Sequence, residues 1–197
     1  MTSVSSRVLI LGIGNPGPRY ARTYHNAGIL FVDALKDRLA PDGAWTSRPA
    51  FSYLKHGGVV LAKSRVFMNE SGRTAADALR FLRYAPEELV VAHDDADIAI
   101  GAAKVSRGRG AAGHNGVASV IAALNTRDFR RARIGTRQPR DFNEAGLPAG
   151  TRPKRVKAGD FALLPISSEA RAAYDAVFQR LMSALIVNET PSGTGRI

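Results

Sequence analysis

Short apolar runs and apolar stripes alternate along the chain, and their spacing predicts a succession of strands and helices. "RVLILGI" (residues 7–13) is an apolar run ended by a glycine and proline cluster, the pattern of a buried strand that leads into a loop. After "GNPGPRY", Phe31, Val32, Leu35 and Leu39 fall on one helical stripe, with Thr23 as a candidate cap. "FSYLK" and "GVVLAK", separated by "HGG", predict a hairpin. Ala75, Ala78, Leu79 and Leu82 recur at i, i+3, i+4 and i+7, which predicts an amphipathic helix behind Ser71, with Pro86 closing the segment. "ELVVAHD" predicts another buried strand with Asp94 at its end, and "AAKVS" a further one before a glycine-rich loop. Val117, Val120, Ile121 and Leu124 mark a third helix, "RARIGT" (131–136) a strand, and Ala170, Ala173, Tyr174, Val177, Leu181 and Leu185 a last helix.

Strands alternating with helices imply an α/β fold: a single domain whose twisted, mostly parallel (mixed) sheet is flanked by helices on both faces. In such a sheet, ligands lie outside the carboxyl ends of the strands. The domain is expected to span residues 1–188. Within it, residues 137–160 mix Pro, Gly and charge without periodicity and read as an exposed basic loop. Residues 161–188 hold the approach to the last helix and the helix itself, and the polar stretch 189–197 reads as a disordered tail. A chain of 197 residues is long enough to bury a core without staples.

Composition narrows the chemistry. The chain has no cysteine, which excludes a disulfide framework, a thiol nucleophile and cysteine-ligated zinc or iron. The N-terminus "MTSVSSRVLILGI" lacks a long apolar core with a cleavage site, and its apolar run is too short for a bilayer, so a soluble protein is expected. The formal charge of +11 and pI near 10.7 point to a polyanionic partner, although 22 of the 28 basic residues are Arg, as in an arginine-rich proteome. Ten Lys or Arg against three acids lie between Arg127 and Lys157, a local +7 that favours phosphate contact over a merely solvated face.

Two stretches match the dinucleotide fingerprint G-x-G-x-x-G, "GIGNPG" (12–17) and "GRGAAG" (108–113). Pro16 and Pro18 keep a helix from opening directly after the first, and arginines stand where the second needs a ribose-binding acid. The polar residues at predicted strand ends and helix starts carry more. Asn15, His25, Asn69, Asp94, His114 and Asn115 fall where an α/β fold gathers its site, and an Asn follows His at both 25–26 and 114–115. Singly, Asn15 reads as a turn residue, Asn69 as a helix cap and His25 as a satisfied buried histidine. Together they form a hydrolytic set that needs neither metal nor covalent nucleophile. A neutral imidazole can take a proton from water, a carboxylate can fix its tautomer, and amides can donate to an oxyanion.

The segments "LGIGNPGPRYARTYHNAG", "VFMNESGRTA", "VVAHDDADIAIG", "GAAGHNGVASVI" and "FRRARIGT", in this order and followed by "GDFALLPIS", resemble the bacterial-type peptidyl-tRNA hydrolases across nearly the whole chain. The resemblance implies hydrolysis of the ester between a peptide and the 3′ end of tRNA, with no cofactor and no metal. It matches His25 to the catalytic base, Asp94 to the acid that holds it, and Asn15 to the residue that distinguishes a blocked peptidyl amide. Tyr20, Phe67, Asn69 and Asn115 match positions that touch the CCA end or the peptide, Asn69 and Asn115 being also suited to hold the water or the oxyanion. His114 would orient neighbouring polar groups. On this likeness the partner is tRNA, contacted at its CCA end and acceptor stem. The protein would be a monomer acting in the cytoplasm, or in mitochondria if the chain is eukaryotic.

The departures from the family pattern are local. Tyr24 replaces an arginine before the histidine, "KSRVFMN" lacks the usual proline-threonine approach, and "GAAG" loses glycines before "HNG". Ser106 stands where a second lysine would join Lys104 in clamping the tRNA 5′-phosphate. Arg107 or Arg109 could substitute, with Arg133 as the clamp's other basic position. The long basic loop points to a eukaryotic or otherwise divergent member. The competing expectations are a non-catalytic RNA-binding relative of the splicing-factor kind on the same fold and, more distantly, a nucleotide-binding oxidoreductase.

Overall fold

β1 (Val8–Gly12) is buried along its whole length because it lies between two strands and two helical layers. In the computed structural model, which describes residues 7–137 and 162–187, seven strands form one sheet in the order β2-β3-β4-β1-β5-β7-β6. The other strands are β2 (Thr46–Ser47), β3 (Phe51–His56), β4 (Val59–Ser64), β5 (Leu89–Ala99), β6 (Ala103–Arg107) and β7 (Arg130–Arg137). The four central strands, β4-β1-β5-β7, run parallel, and the flanking pairs at both edges are antiparallel. The sheet is thus mixed, with its parallel part confined to the middle.

Among the described residues four α-helices cover it: α1 (Ala27–Leu39), α2 (Ser71–Leu82), α3 (Asn115–Leu124) and α4 (Ser168–Met182). Successive strand residues point to opposite faces, and two cores follow from that alternation. Val8, Ile10, Val90 and Ala92 pack with Phe31, Val32 and Leu35 of α1 and Tyr174, Val177 and Leu181 of α4. Leu9, Leu11, Leu89 and Val91 pack on the other side with Ala75, Ala78 and Leu79 of α2 and Val117 and Val120 of α3. The helical stripes read from spacing are the buried stripes. Among the described residues no helix is long and apolar enough to cross a membrane.

Local details differ from the sequence reading. Thr23 does not cap α1: its Oγ1 donates to the Tyr20 carbonyl at 2.9 Å, and a single 3₁₀ turn, Tyr24–Asn26, comes between. Ser71 is the first residue of α2, not its cap, and donates to the Met68 carbonyl at 2.8 Å. α2 ends at Arg83, which takes a left-handed conformation (φ 60°), before Pro86 is reached. β2 was not foreseen because two exposed residues carry no pattern. β5 runs past Asp94 to Ala99, with an irregular register against β7 between Asp95 and Ala99. The expectations for most of the basic loop (residues 138–160) and for the tail (189–197) lie outside the described residues.

Candidate active site

The chain leaves β1 toward one half of the sheet, through α1 to β4, and the later strands β5, β7 and β6 build the other half. Strand order therefore reverses between β1 and β5, and a crevice opens at their carboxyl ends. Gly28 brings α1 close to it. A Cβ at this position would overlap the Ala92 carbonyl of β5, so only glycine lets the start of α1 sit against the strand. The preceding turn then holds His25 beside Asp94, which lies just past the end of β1.

Asp94 is buried and receives two imidazoles. His25 Nδ1 lies 2.9 and 3.0 Å from its two carboxylate oxygens, and His114 Nε2 lies 2.8 Å from Oδ1. His114 caps α3: its Nδ1 accepts the Val117 N–H at 3.2 Å, which leaves its proton on Nε2, pointed at Asp94. Burial on its own would raise the Asp94 carboxyl. The positive potential and hydrogen bond of His114, with those of His25, outweigh it and hold the group well below the usual carboxylate range. With Nδ1–H of His25 committed to Asp94, its Nε2 keeps a lone pair in a side chain that remains 19% exposed.

His25, Asp94 and His114 place their ligand-type atoms within 4.8 Å of one another. A cation there would need the Nε2 lone pair of His114, but the Val117 N–H already holds the proton on that nitrogen. The cluster is built as two donors on one carboxylate.

Asn15 is held at the carboxyl end of β1 by backbone contacts. Asn15 Oδ1 accepts the Met68 N–H at 2.8 Å, which turns its Nδ2 into the group left to donate. Asn69 is in the exposed 3₁₀ turn that Met68 begins, and Asn115 is the exposed first residue of α3. The turn and α3 are in close contact, since a Cβ on Gly116 would overlap the Met68 sulfur. Tyr20 and Phe67 meet edge to face with ring centroids 6.4 Å apart, and Phe67 is 50% exposed.

Asn26, buried beside His25, was not singled out as a working residue. Its Oδ1 accepts the Asn15 N–H at 2.8 Å and its Nδ2 donates to the Asn15 carbonyl at 2.9 Å, so one side chain grips both ends of one residue. The repeated His-Asn pair was the only signal, and it drew attention to the histidine. Asn26→Ala is expected to lower unfolding free energy by about 1–3 kcal/mol, because two part-buried backbone groups each lose a hydrogen bond. Urea denaturation measures this, and unchanged stability would show that Asn15 is held by other contacts.

The basic residues divide. Lys104 and Arg133 are direct partners on the β6–β7 ladder and share a face, and Arg133 Nε donates to Asp95 Oδ2 at 2.7 Å. Arg107 has the opposite strand parity and is paired with Asp128, so the structure does not bring it to Lys104. Arg131, across from Ser106, is buried and donates to the Gly110 carbonyl at 3.0 Å.

Tyr24 is buried where residues 162–167 cross the turn. The His25 N–H donates to the Ala162 carbonyl at 2.7 Å and the Tyr24 N–H to the Leu164 carbonyl at 3.2 Å, while the Ile166 N–H reaches the Arg22 carbonyl at 2.8 Å. The Ser167 N–H donates to the Tyr24 hydroxyl at 3.4 Å. The segment ahead of α4 is thereby laced to the turn that carries His25.

Comparison with known proteins identifies the family. The family model described as peptidyl-tRNA hydrolase matches residues 9–189. A peptidyl-tRNA hydrolase of Mycobacterium sp. (strain KMS) is 37% identical over 182 residues, covering 90% of this chain and 88% of that protein. One from Cupriavidus necator is 38% identical over 181 residues, covering 90% and 89%. Among solved structures, a crystal structure of peptidyl-tRNA hydrolase from Acinetobacter baumannii superposes with a TM-score of 0.76 at 28% identity, covering 94% of this chain and 89% of that one. A complex of a peptidyl-tRNA hydrolase with N-propanol gives 0.77 at 27%, covering 95% and 90%. With the family model matched over most of its length, relatives more than 35% identical over 90% of it and the same fold in solved structures, the chain belongs to the peptidyl-tRNA hydrolase family.

Proposed function

We propose that this carboxylic ester hydrolase cuts the bond between a peptide and the 3′ end of tRNA with water activated by His25. The observation that carries the reading is the single carboxylate of Asp94 receiving N–H groups from His25 and His114, which leaves His25 Nε2 free to accept a proton.

His25 Nε2 takes a proton from water as the oxygen attacks the ester carbonyl carbon. Asp94 stabilises the imidazolium that forms. Asn69 and Asn115 supply amide donors for the water or the oxyanion, a contribution of about 10²- to 10³-fold for one such donor. When the bond to the ribose oxygen breaks, the imidazolium returns its proton to that oxygen. The products are a peptide carboxylate and a tRNA with a free 3′ hydroxyl. Asn15 presents an N–H donor, which suits the carbonyl of a blocked amide and repels a free ammonium group.

Tyr20 and Phe67 offer aromatic surface to the bases of the CCA end. Lys104 and Arg133 are the phosphate contacts on the sheet side, and Arg107, turned to the other face, is assigned none. The enzyme is read as a monomer that works in the cytoplasm.

Incubation with N-blocked aminoacyl-tRNA tests the proposal. Release of the blocked amino acid is expected, with binding that weakens steeply as salt rises. Tight tRNA binding without turnover would instead mark a non-catalytic relative.

A further inference from the structure

His93 is 2% exposed and adjacent to the acid of the dyad, yet none of the steps above uses it. Its Nδ1 donates to the carbonyl of Asp94 at 2.7 Å, and its buried Nε2 has no partner among the described residues. A buried nitrogen with no hydrogen bond is costly, so leucine would suit the site better unless the other nitrogen were needed.

The strand ladder shows why it is needed. The Ala92 carbonyl is taken by the Ile13 N–H at 3.1 Å, where β1 runs out. Two residues on, the Asp94 carbonyl points the same way along β5, and β1 offers it no further amide. The His93 side chain fills that place. Its ring also meets His114 edge to face, with centroids 4.8 Å apart, and so buttresses the second imidazole that donates to Asp94.

We propose that His93 is a positioning residue for the reaction: its Nδ1–H stands in for the missing strand neighbour and fixes the peptide unit that carries the Asp94 carboxylate. The inference rests on the hydrolase reading of the site. Burial, reinforced by His114, pushes the His93 imidazole down to about 3, so it stays neutral and serves as a fixed donor rather than a proton carrier.

The test separates the donor from bulk and polarity. The Asn amide nitrogen lies as many bonds from Cα as Nδ1 does, whereas that of Gln lies one bond farther. H93N is therefore expected to keep kcat within about threefold of wild type. H93Q and H93L are expected to lose about 10-fold or more in kcat, the effect of one hydrogen bond, with KM unchanged. Wild-type turnover in H93L, or equal losses in all of these variants, overturns the proposal. Nitrogen NMR of the wild-type protein adds a reading independent of folding defects. A protonated Nδ1 and a bare Nε2 that do not titrate between about pH 5 and 8 are expected, and the opposite tautomer overturns the proposal. This measurement does not depend on turnover, so a wild-type protein that fails to hydrolyse its substrate sinks the hydrolase reading alone.

Discussion

Replacing His25 with alanine is expected to lower kcat on N-blocked aminoacyl-tRNA by about 10²- to 10⁴-fold, the usual contribution of a general base. Binding of tRNA should change little, because the aromatic and basic contacts assigned to it lie elsewhere. The fold should survive as well. The His25 backbone remains held by Ala162, and Asp94 keeps the hydrogen bond from His114. Added imidazole should restore part of the lost turnover if the missing group is a proton acceptor. Turnover at the wild-type rate in this variant would remove His25 from the mechanism.

Asp94→Asn is expected to be as damaging, for a reason that the tautomers make specific. An amide offers one acceptor and one donor where the carboxylate offers two acceptors. His114 cannot adapt, since the Val117 N–H fixes the proton on its Nε2, so the amide oxygen must face His114. The amide N–H group then takes the Oδ2 place, 3.0 Å from His25 Nδ1, and competes there with the amide oxygen at 2.9 Å, which shifts the His25 proton toward Nε2, the position that has to be bare, and removes the charge that stabilises the imidazolium. A loss of up to about 10⁴-fold in kcat follows, comparable to that of a triad whose imidazole is held in the wrong tautomer. Steady-state kinetics read this directly, and NMR of the His25 ring should show the exchanged tautomer.

The same residue couples stability to pH. The native carboxyl is depressed, so the contribution of Asp94 is fully present above the ordinary carboxylate value of 3.8 and is lost as pH falls toward the lower native value. Acid unfolding of wild type should therefore carry a component that Asp94→Asn lacks.

Elements that bury a regular stripe were legible from sequence. β1, the β3–β4 hairpin and helices α1 to α4 follow from apolar spacing, because burial against a sheet imposes period two on strands and 3.6 on helices. The crevice was legible too, as polar residues at strand ends of an alternating α/β chain. What could not be read depends on direction and partnership. Arg107 was a reasonable substitute for a missing lysine until strand parity turned it to the other face, beside Asp128. Asn26 and His93 act on the backbones of Asn15 and Asp94, and such contacts leave no periodic trace. That His114 shares the carboxylate of His25 follows from a cap at the start of α3, not from the spacing of the histidines.

The lacing of residues 162–167 to the catalytic turn has a practical consequence for engineering. Cutting the chain ahead of Ala162 would spare all seven strands, but would strip the His25 amide of its acceptor and expose the ring of Tyr24. A fragment ending there would keep every side chain assigned to the chemistry and lose the splint that aims the first of them.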